Sequence, residues 1–336
     1  MHRSLAATLS VLLSLATPTV VAQERPDAPV EPPIRDMETL VVSGVQPGPG
    51  LWKVRKGDHT LFVLGTLSPL PKRMQWESRD VENVIAQAQE VIDWPGVKFE
   101  TGLNTFQELM LAPKALGARK DPEGKSLQQV VPADMYARWL PLKARYIGRD
   151  KGIEEWRPMF AALKLYDEAM DDSGLKNAGD VIRPAIERLA RRHDVKRTDP
   201  MLTVMIADPK VALKEFRESR LDDLDCFGRT LQRLETDLDT MRERANAWAV
   251  GDLDTIRALP YSDQNEACRR AAAQATVLRK RAGDLEAKME QLWLATAEQA
   301  LARNTVTFAL LSMRQLMAPD GYIAKLRAKG YEVEEP

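Results

Sequence analysis

Residues Leu51 to Ser68 read LWKVRKGDHTLFVLGTLS. Polar and apolar residues alternate through Leu51, Lys53, Val54 and Arg55. A Lys56-Gly57-Asp58-His59 turn follows, and a second apolar run from Leu61 to Leu64 ends at Gly65. This pattern predicts a β-hairpin. The second strand is apolar on both faces, which places it inside a sheet. Its carboxyl end delivers Gly65-Thr66-Leu67-Ser68 to the edge where open α/β sheets bind ligands, so a site is expected there.

Downstream of the hairpin, Val81, Val84, Ile85 and Ala88 recur at helical spacing within Glu77 to Gln89, and Val91-Ile92-Asp93-Trp94-Pro95 is short and apolar enough for a buried strand. Strand, helix, strand predicts a parallel pair joined by a right-handed crossover. Asp93 then reaches the same sheet edge as Ser68, where a strand-end aspartate capping a turn is an equal reading. Helices are expected at Asn104 to Leu111, Pro132 to Ile147, Trp156 to Met170 and Asp180 to His193, with a short strand at Val195 to Thr198. At the carboxyl end, Arg303-Asn304 closes a helix, Thr307 to Leu311 reads as a buried strand, Pro319 to Lys329 as a helix stopped by Gly330, and Tyr331 to Glu334 as a last strand. The expected class is α/β and helix-rich: a mixed central sheet with flanking helices and an all-helical insertion at about 203–302.

The amino terminus has Arg3, an apolar run from Leu5 to Ala16, a break at Pro18 and Val20-Val21-Ala22 before Gln23. This is the layout of a secretory signal cleaved after Ala22, and its core is short for a membrane span of about 20 residues. Residues 23–50 carry Pro26, Pro29, Pro32, Pro33, Pro47 and Pro49 among scattered acids and read as a linker, leaving 51–336 as a single domain. Removing 1–22 leaves 47 basic against 49 acidic residues, a net charge of −2. Basic and acidic residues interleave throughout, which argues against a nucleic-acid partner, and no later segment is apolar enough to span a membrane. A periplasmic or secreted product is expected.

Phe227, Leu231, Leu234, Leu238, Met241, Ala245 and Trp248 form a seam of alternating four- and three-residue steps, and Ala271, Ala275, Leu278, Ala282, Leu285, Met289 and Leu292 form another. The two cysteines, Cys226 and Cys268, open these stretches. An exported chain with two cysteines favours a disulfide over two buried thiols. A straight helix from 226 to 249 would carry the chain about 35 Å away at ~1.5 Å per residue, whereas a bridge needs alpha carbons within roughly 7 Å. Pairing therefore predicts a break near Asp237 to Asp239, a helix from Asp239 to Trp248, a short one from Asp252 and a stop at Pro260.

The hairpin opened by Leu51-Trp52-Lys53-Val54 and closed by Gly65-Thr66 resembles the start of the TraB/GumN family, which is related to the Tiki metalloproteases. The family's Gly-x-x-His motif supplies a histidine to a divalent metal, and here Ser68 stands at that position. The resemblance implies an active-site glutamate near Asp93 and an Arg-Asn pair, matched by Arg303 and Asn304, before a strand and a second Gly-x-x-His loop. Ser312-Met313-Arg314-Gln315 occupies that loop without its glycine or histidine. An Arg-Asn pair at a helix end reads equally as a carboxyl cap.

After signal removal the histidines are His59, in the hairpin turn, and His193, at a helix end, and neither shares ligand spacing with acids. No H-E-x-x-H, G-x-S-x-G or glycine-rich phosphate loop is present. The expected function is a catalytically degenerate family member with no retained metal ligands. Its residual pocket comprises Gly65, Ser68, Asp93, Arg303 and Asn304, and it serves an unidentified envelope protein or polymer as a binding or accessory module in cell-envelope or surface-polysaccharide processes. The alternative is an active Tiki-like hydrolase or peptidase using Asp93, Ser68 and Arg303 as an altered set.

Overall fold

The computed structural model describes residues 48–76, 79–259, 264–274 and 283–336. The expected signal sequence, the linker as far as residue 47, the expected stop at Pro260 and residues 275–282 of the second seam lie outside them.

The hairpin forms as expected, from β1 (Leu51–Lys56) and β2 (His59–Thr66), with Val54 opposite Leu61. The strand β3 (Leu70–Pro71) follows, then helix Arg79–Gln87, which buries Val81 and Ile85, and β4 (Glu90–Ile92). Pairing differs from the expectation in one respect. β2 and β4 are parallel but not adjacent, because the strand of Val306–Ser312 lies between them, with Gly65 opposite Leu311 and Ile92 opposite Ala309. Thr307 to Leu311 are all buried, and a strand apolar on both faces takes the centre of a sheet.

Beyond β4, β5 (Gly96–Glu100) and β6 (Leu175–Lys176) precede β7 (Lys196–Thr198) and β8 (Met201–Met205). Val306–Ser312 is β9, and β10 (Glu332–Glu334) ends the chain. The six-stranded sheet runs β10-β1-β2-β9-β4-β7; β2, β9, β4 and β7 are parallel, and β1 and β10 add antiparallel pairs at one edge. The β5–β8 pair continues β4 and β7 past Pro95 and Pro200 as a separate two-stranded sheet. A proline has no amide hydrogen to donate to a ladder, and each of these two lies between the paired segments of its chain.

The described residues form two large hydrophobic cores, beside a small cluster around Ala212. One packs Trp52, Leu64, Ile92 and Phe308 of the sheet with Trp248 and Trp293. The other joins helices Ala133–Tyr146, Pro158–Asp172 and Leu224–Thr236 around Trp139, Leu165, Phe227 and Leu231. The first seam divides between them: Phe227 to Met241 face the helical core, and Ala245 and Trp248 face the sheet. Its break falls at Asp237, between helices Leu224–Thr236 and Leu238–Ala249, while Asp239 sits in the new helix's first turn. Asp237 is buried near Arg233 (3.9 Å) and Arg244 (3.7 Å), a charge pattern that fixes the break there. Helix Leu253–Ala258 is capped by Asp252, which accepts from the Thr255 amide. Cys226 and Cys268 form a disulfide with alpha carbons 4.5 Å apart, because helix Gln264–Gln274 returns along Leu224–Thr236.

The second seam is corrected. Leu285, Met289 and Leu292 are only partly covered, and helix Leu285–Arg303 buries Trp293, Leu294, Ala297, Ala300 and Leu301 instead. Its main partner is the face of the sheet, with helix Tyr322–Ala328 alongside through the Trp293–Tyr322 ring contact, so the buried stripe shifts toward that face.

Candidate functional site

The carboxyl edge of the parallel strands gathers Gly65 and Thr66 from β2, Asp93 and Trp94 after β4, and Ser312 from β9. A Cβ at Gly65 would lie 2.4 Å from Met313 Sδ, 2.7 Å from Leu316 Cδ1 and 2.9 Å from the Trp52 ring, so close packing requires glycine here. The Gly65 carbonyl accepts from Trp248 Nε1 at 2.5 Å. Ser68 Oγ accepts from the Ala178 amide at 3.2 Å and donates to Asn177 Oδ1 at 3.4 Å, so it caps helix Ala178–Arg192 from a neighbouring segment.

Asp93 is 1% exposed. Its Oδ2 pairs with Arg197 Nη2 and lies 3.5 Å from Arg183 Nη1, while Arg197 also pairs with Glu187 at 2.9 Å. Burial pushes the Asp93 carboxyl above the ordinary range, against the pull of the Arg197 and Arg183 charges. The Arg183 guanidinium stacks on the Trp94 ring, 5.1 Å from its centroid, and Trp94 Nε1 donates to Thr66 Oγ1 at 2.9 Å. Ser68 and Asp93 thus share one edge as expected. They hold successive turns at the amino-terminal end of helix Ala178–Arg192, Ser68 through Ala178 and Asp93 through Arg183, rather than each other.

Arg303 and Asn304 lie elsewhere. Asn304 Nδ2 donates to Glu90 Oε2 at 3.0 Å, and Arg303 Nη2 reaches the same oxygen at 3.5 Å. Glu90 opens β4 opposite Thr307, whereas Ser312 ends β9 opposite Thr66. The two clusters are therefore separated by five residues of β9 from Thr307 to Ser312, about 17 Å, and by three residues along β4 from Glu90 to Asp93, about 10 Å, at ~3.3 Å per residue. The expectation that Arg303 and Asn304 line the pocket with Gly65, Ser68 and Asp93 is corrected: helix Leu285–Arg303 runs back across the sheet and returns the chain to its amino edge. Asn304 also occupies that helix's C-cap, as the alternative reading had it. Burial pushes Glu90 up, but hydrogen bonds from Thr198 and Asn304 and the Lys196 charge outweigh it and leave its carboxyl below the ordinary range.

His59 also sits at the amino edge, with Nδ1 2.6 Å from the Leu301 carbonyl, and His193 ends its helix 4.0 Å from Glu82. Ser312 to Gln315 is no loop. Ser312 and Gln315 form a capping box that starts helix Met313–Met317.

A cleft of about 770 Å³ opens at the carboxyl edge, within the ligand-sized range. Ser68, Asn177, Asn265 and Ser312 supply polar groups, and Leu67, Trp94, Ile256, Met313 and Met317 supply apolar wall. The arginines at this edge escaped the sequence reading, since Arg183 and Arg197 look like the solvated charges of a helix and a short strand.

The residues present do not fit a divalent metal. Among the described residues, no group of three or more His, Cys, Asp and Glu could hold an ion. Asp93 at the carboxyl edge already faces two guanidinium groups, and so does Glu266 in the cleft lining. A dication about 4 Å from any of these guanidinium groups would meet a repulsion on the order of several kcal/mol at an effective dielectric constant near 20.

A mostly parallel α/β sheet with a ligand-sized cleft at its carboxyl edge defines the class of protein. The chain belongs to the TraB/PrgY/gumN family, whose model matches residues 50–335. No curated protein and no solved structure matches it.

Proposed function

We propose that this member of the TraB/PrgY/gumN family is an exported binding or accessory module of cell-envelope or surface-polysaccharide processes, without metal-dependent hydrolysis. The observation that carries this reading is the pairing of buried Asp93 with Arg197 and Arg183 at the edge where the family resemblance calls for metal chemistry. The amino-terminal layout of Arg3, the Leu5 to Ala16 run and Ala22 supports export. No helix among the described residues is long and apolar enough to cross a membrane.

A hydrolase working through Ser68, Asp93 and Arg303 lacks a shared geometry. The Ser68 hydroxyl is engaged by Asn177 and Ala178, Asp93 by arginines, and Arg303 stands at the other end of the sheet. Expression with its own amino terminus in a Gram-negative host tests export: the account expects a periplasmic product beginning at Gln23. Hydrolysis of a fluorogenic peptide library with added Mn²⁺, Co²⁺ or Zn²⁺ is expected to stay at the buffer rate. Metal-stimulated cleavage that disappears in Asp93→Ala contradicts the reading.

A further inference from the structure

The carboxyl-edge cleft has an unusual charge. Its lining includes Arg183, Arg244, Arg257, Arg269 and Arg314 against one acid, Glu266. All five are ion-paired: Arg269 and Arg314 share Glu266 and Glu286, and Asp93, Asp237 and Glu335 hold Arg183, Arg244 and Arg257 from outside the lining. On the cleft's own wall guanidinium groups still outnumber carboxylates five to one, because the other partner acids lie outside it. A guanidinium presents five N–H donors in a planar fork suited to a carboxylate or phosphate, so one engaged by a protein acid on one side can still bind a ligand on another.

Arg183 is the best placed of the five. Asp93 holds it from beneath, Trp94 supports its flat face, and its side chain is 41% exposed on the cleft side of that buried pair. A cation fixed before the ligand arrives loses less freedom on binding than a mobile surface arginine. The opposite character lies alongside: Met313, Met317, Leu67 and Ile256 give the same cleft an aliphatic wall. Phosphate or a small carboxylate alone would leave that wall unused, and a neutral hydrophobe would leave the arginines unused.

We infer that the carboxyl-edge cleft binds an amphiphilic organic anion, a phosphate or carboxylate head on an apolar chain, with the head on Arg183 and its neighbouring arginines and the chain along the methionine wall. The inference rests on the proposed function in one respect: Asp93 serves a guanidinium rather than a metal.

Isothermal titration of the purified chain with dodecyl phosphate, below its micelle concentration, is the test. Saturable binding at one site is expected, at least about thirtyfold tighter than inorganic phosphate and absent with dodecyltrimethylammonium. Arg183→Gln and, separately, Arg269→Gln are expected to weaken it at least about tenfold, with circular dichroism melts confirming that each variant is folded. Equal binding of the cationic amphiphile, equal binding of inorganic phosphate, no saturable binding, or full affinity in both folded variants would each overturn the inference. A negative result in a protein that also shows no metal-stimulated hydrolysis sinks the ligand assignment alone, whereas hydrolysis lost in Asp93→Ala sinks the reading beneath it.

Discussion

Arg183 Nη1 lies 3.5 Å from Asp93 Oδ2, the same oxygen that pairs with Arg197 Nη2, in an acid that is 1% exposed. The arrangement is asymmetric, since the acid is buried and the arginines reach solvent.

That asymmetry sets the order of two variants. Arg197→Leu removes the closer cation from an acid that water cannot reach, and is expected to cost about 2–4 kcal/mol in urea unfolding. Asp93→Asn leaves Arg197 with Glu187 and leaves Arg183 to solvent, so its cost should be below about 2 kcal/mol. The reverse order would mean that Asp93 is not the dependent partner.

Glu90 gives a pH prediction of definite sign. Its folded pKa is depressed, so its contribution to stability is present above the ordinary glutamate value of about 4.3 and is lost as pH falls through the folded value. Asp93, raised by burial, has the opposite sign and loses its contribution as pH rises through its folded value. Melting curves between about pH 3 and 6 should show Glu90→Gln flattening the acid-side fall in stability, relative to wild type.

The disulfide closes a loop across a sequence separation of 42. Loop entropy gives a stabilisation of about 4 kcal/mol as an upper figure, and Cys226→Ser/Cys268→Ser is expected to lose about 2–4 kcal/mol. A thiol assay on denatured, unreduced protein should find no free group among these two cysteines.

Gly65 and Trp248 tie the hairpin to the helical segment. Gly65→Ala must displace Met313, Leu316 or Trp52 and should cost about 1–3 kcal/mol, and Trp248→Phe should cost about 1–2 kcal/mol by leaving the Gly65 carbonyl without its indole donor. Both changes lie under the cleft, so thermal melts and dodecyl phosphate titrations should move together.

The sequence was most legible where a pattern was local. The Leu51 to Thr66 hairpin and the helix start at Asp252 follow from alternation and caps, while the Cys226–Cys268 bridge, read from two cysteines in a chain expected to be exported, led through chain reach to the break at Asp237. Non-local placement was harder. Nothing in Thr307 to Leu311 says that this strand separates β2 from β4, and that insertion, with the helix returning to Arg303, carries Arg303 and Asn304 away from Asp93. The second seam holds at Ala271, buried in the helical core, but misled over Leu285 to Leu292, because the helix there turns its stripe to the sheet. Glu90 and Arg183 passed as surface charges, since a buried ion partner leaves little local trace.

The proposed function requires that a fixed guanidinium, not a metal ion, is the cation beside Asp93. The most direct measurement is metal content of the purified chain by plasma mass spectrometry after exposure to Mn²⁺, Co²⁺ and Zn²⁺ and gel filtration. Well under one equivalent, unchanged in Asp93→Ala, is the predicted result; one equivalent that is lost in Asp93→Ala would contradict it.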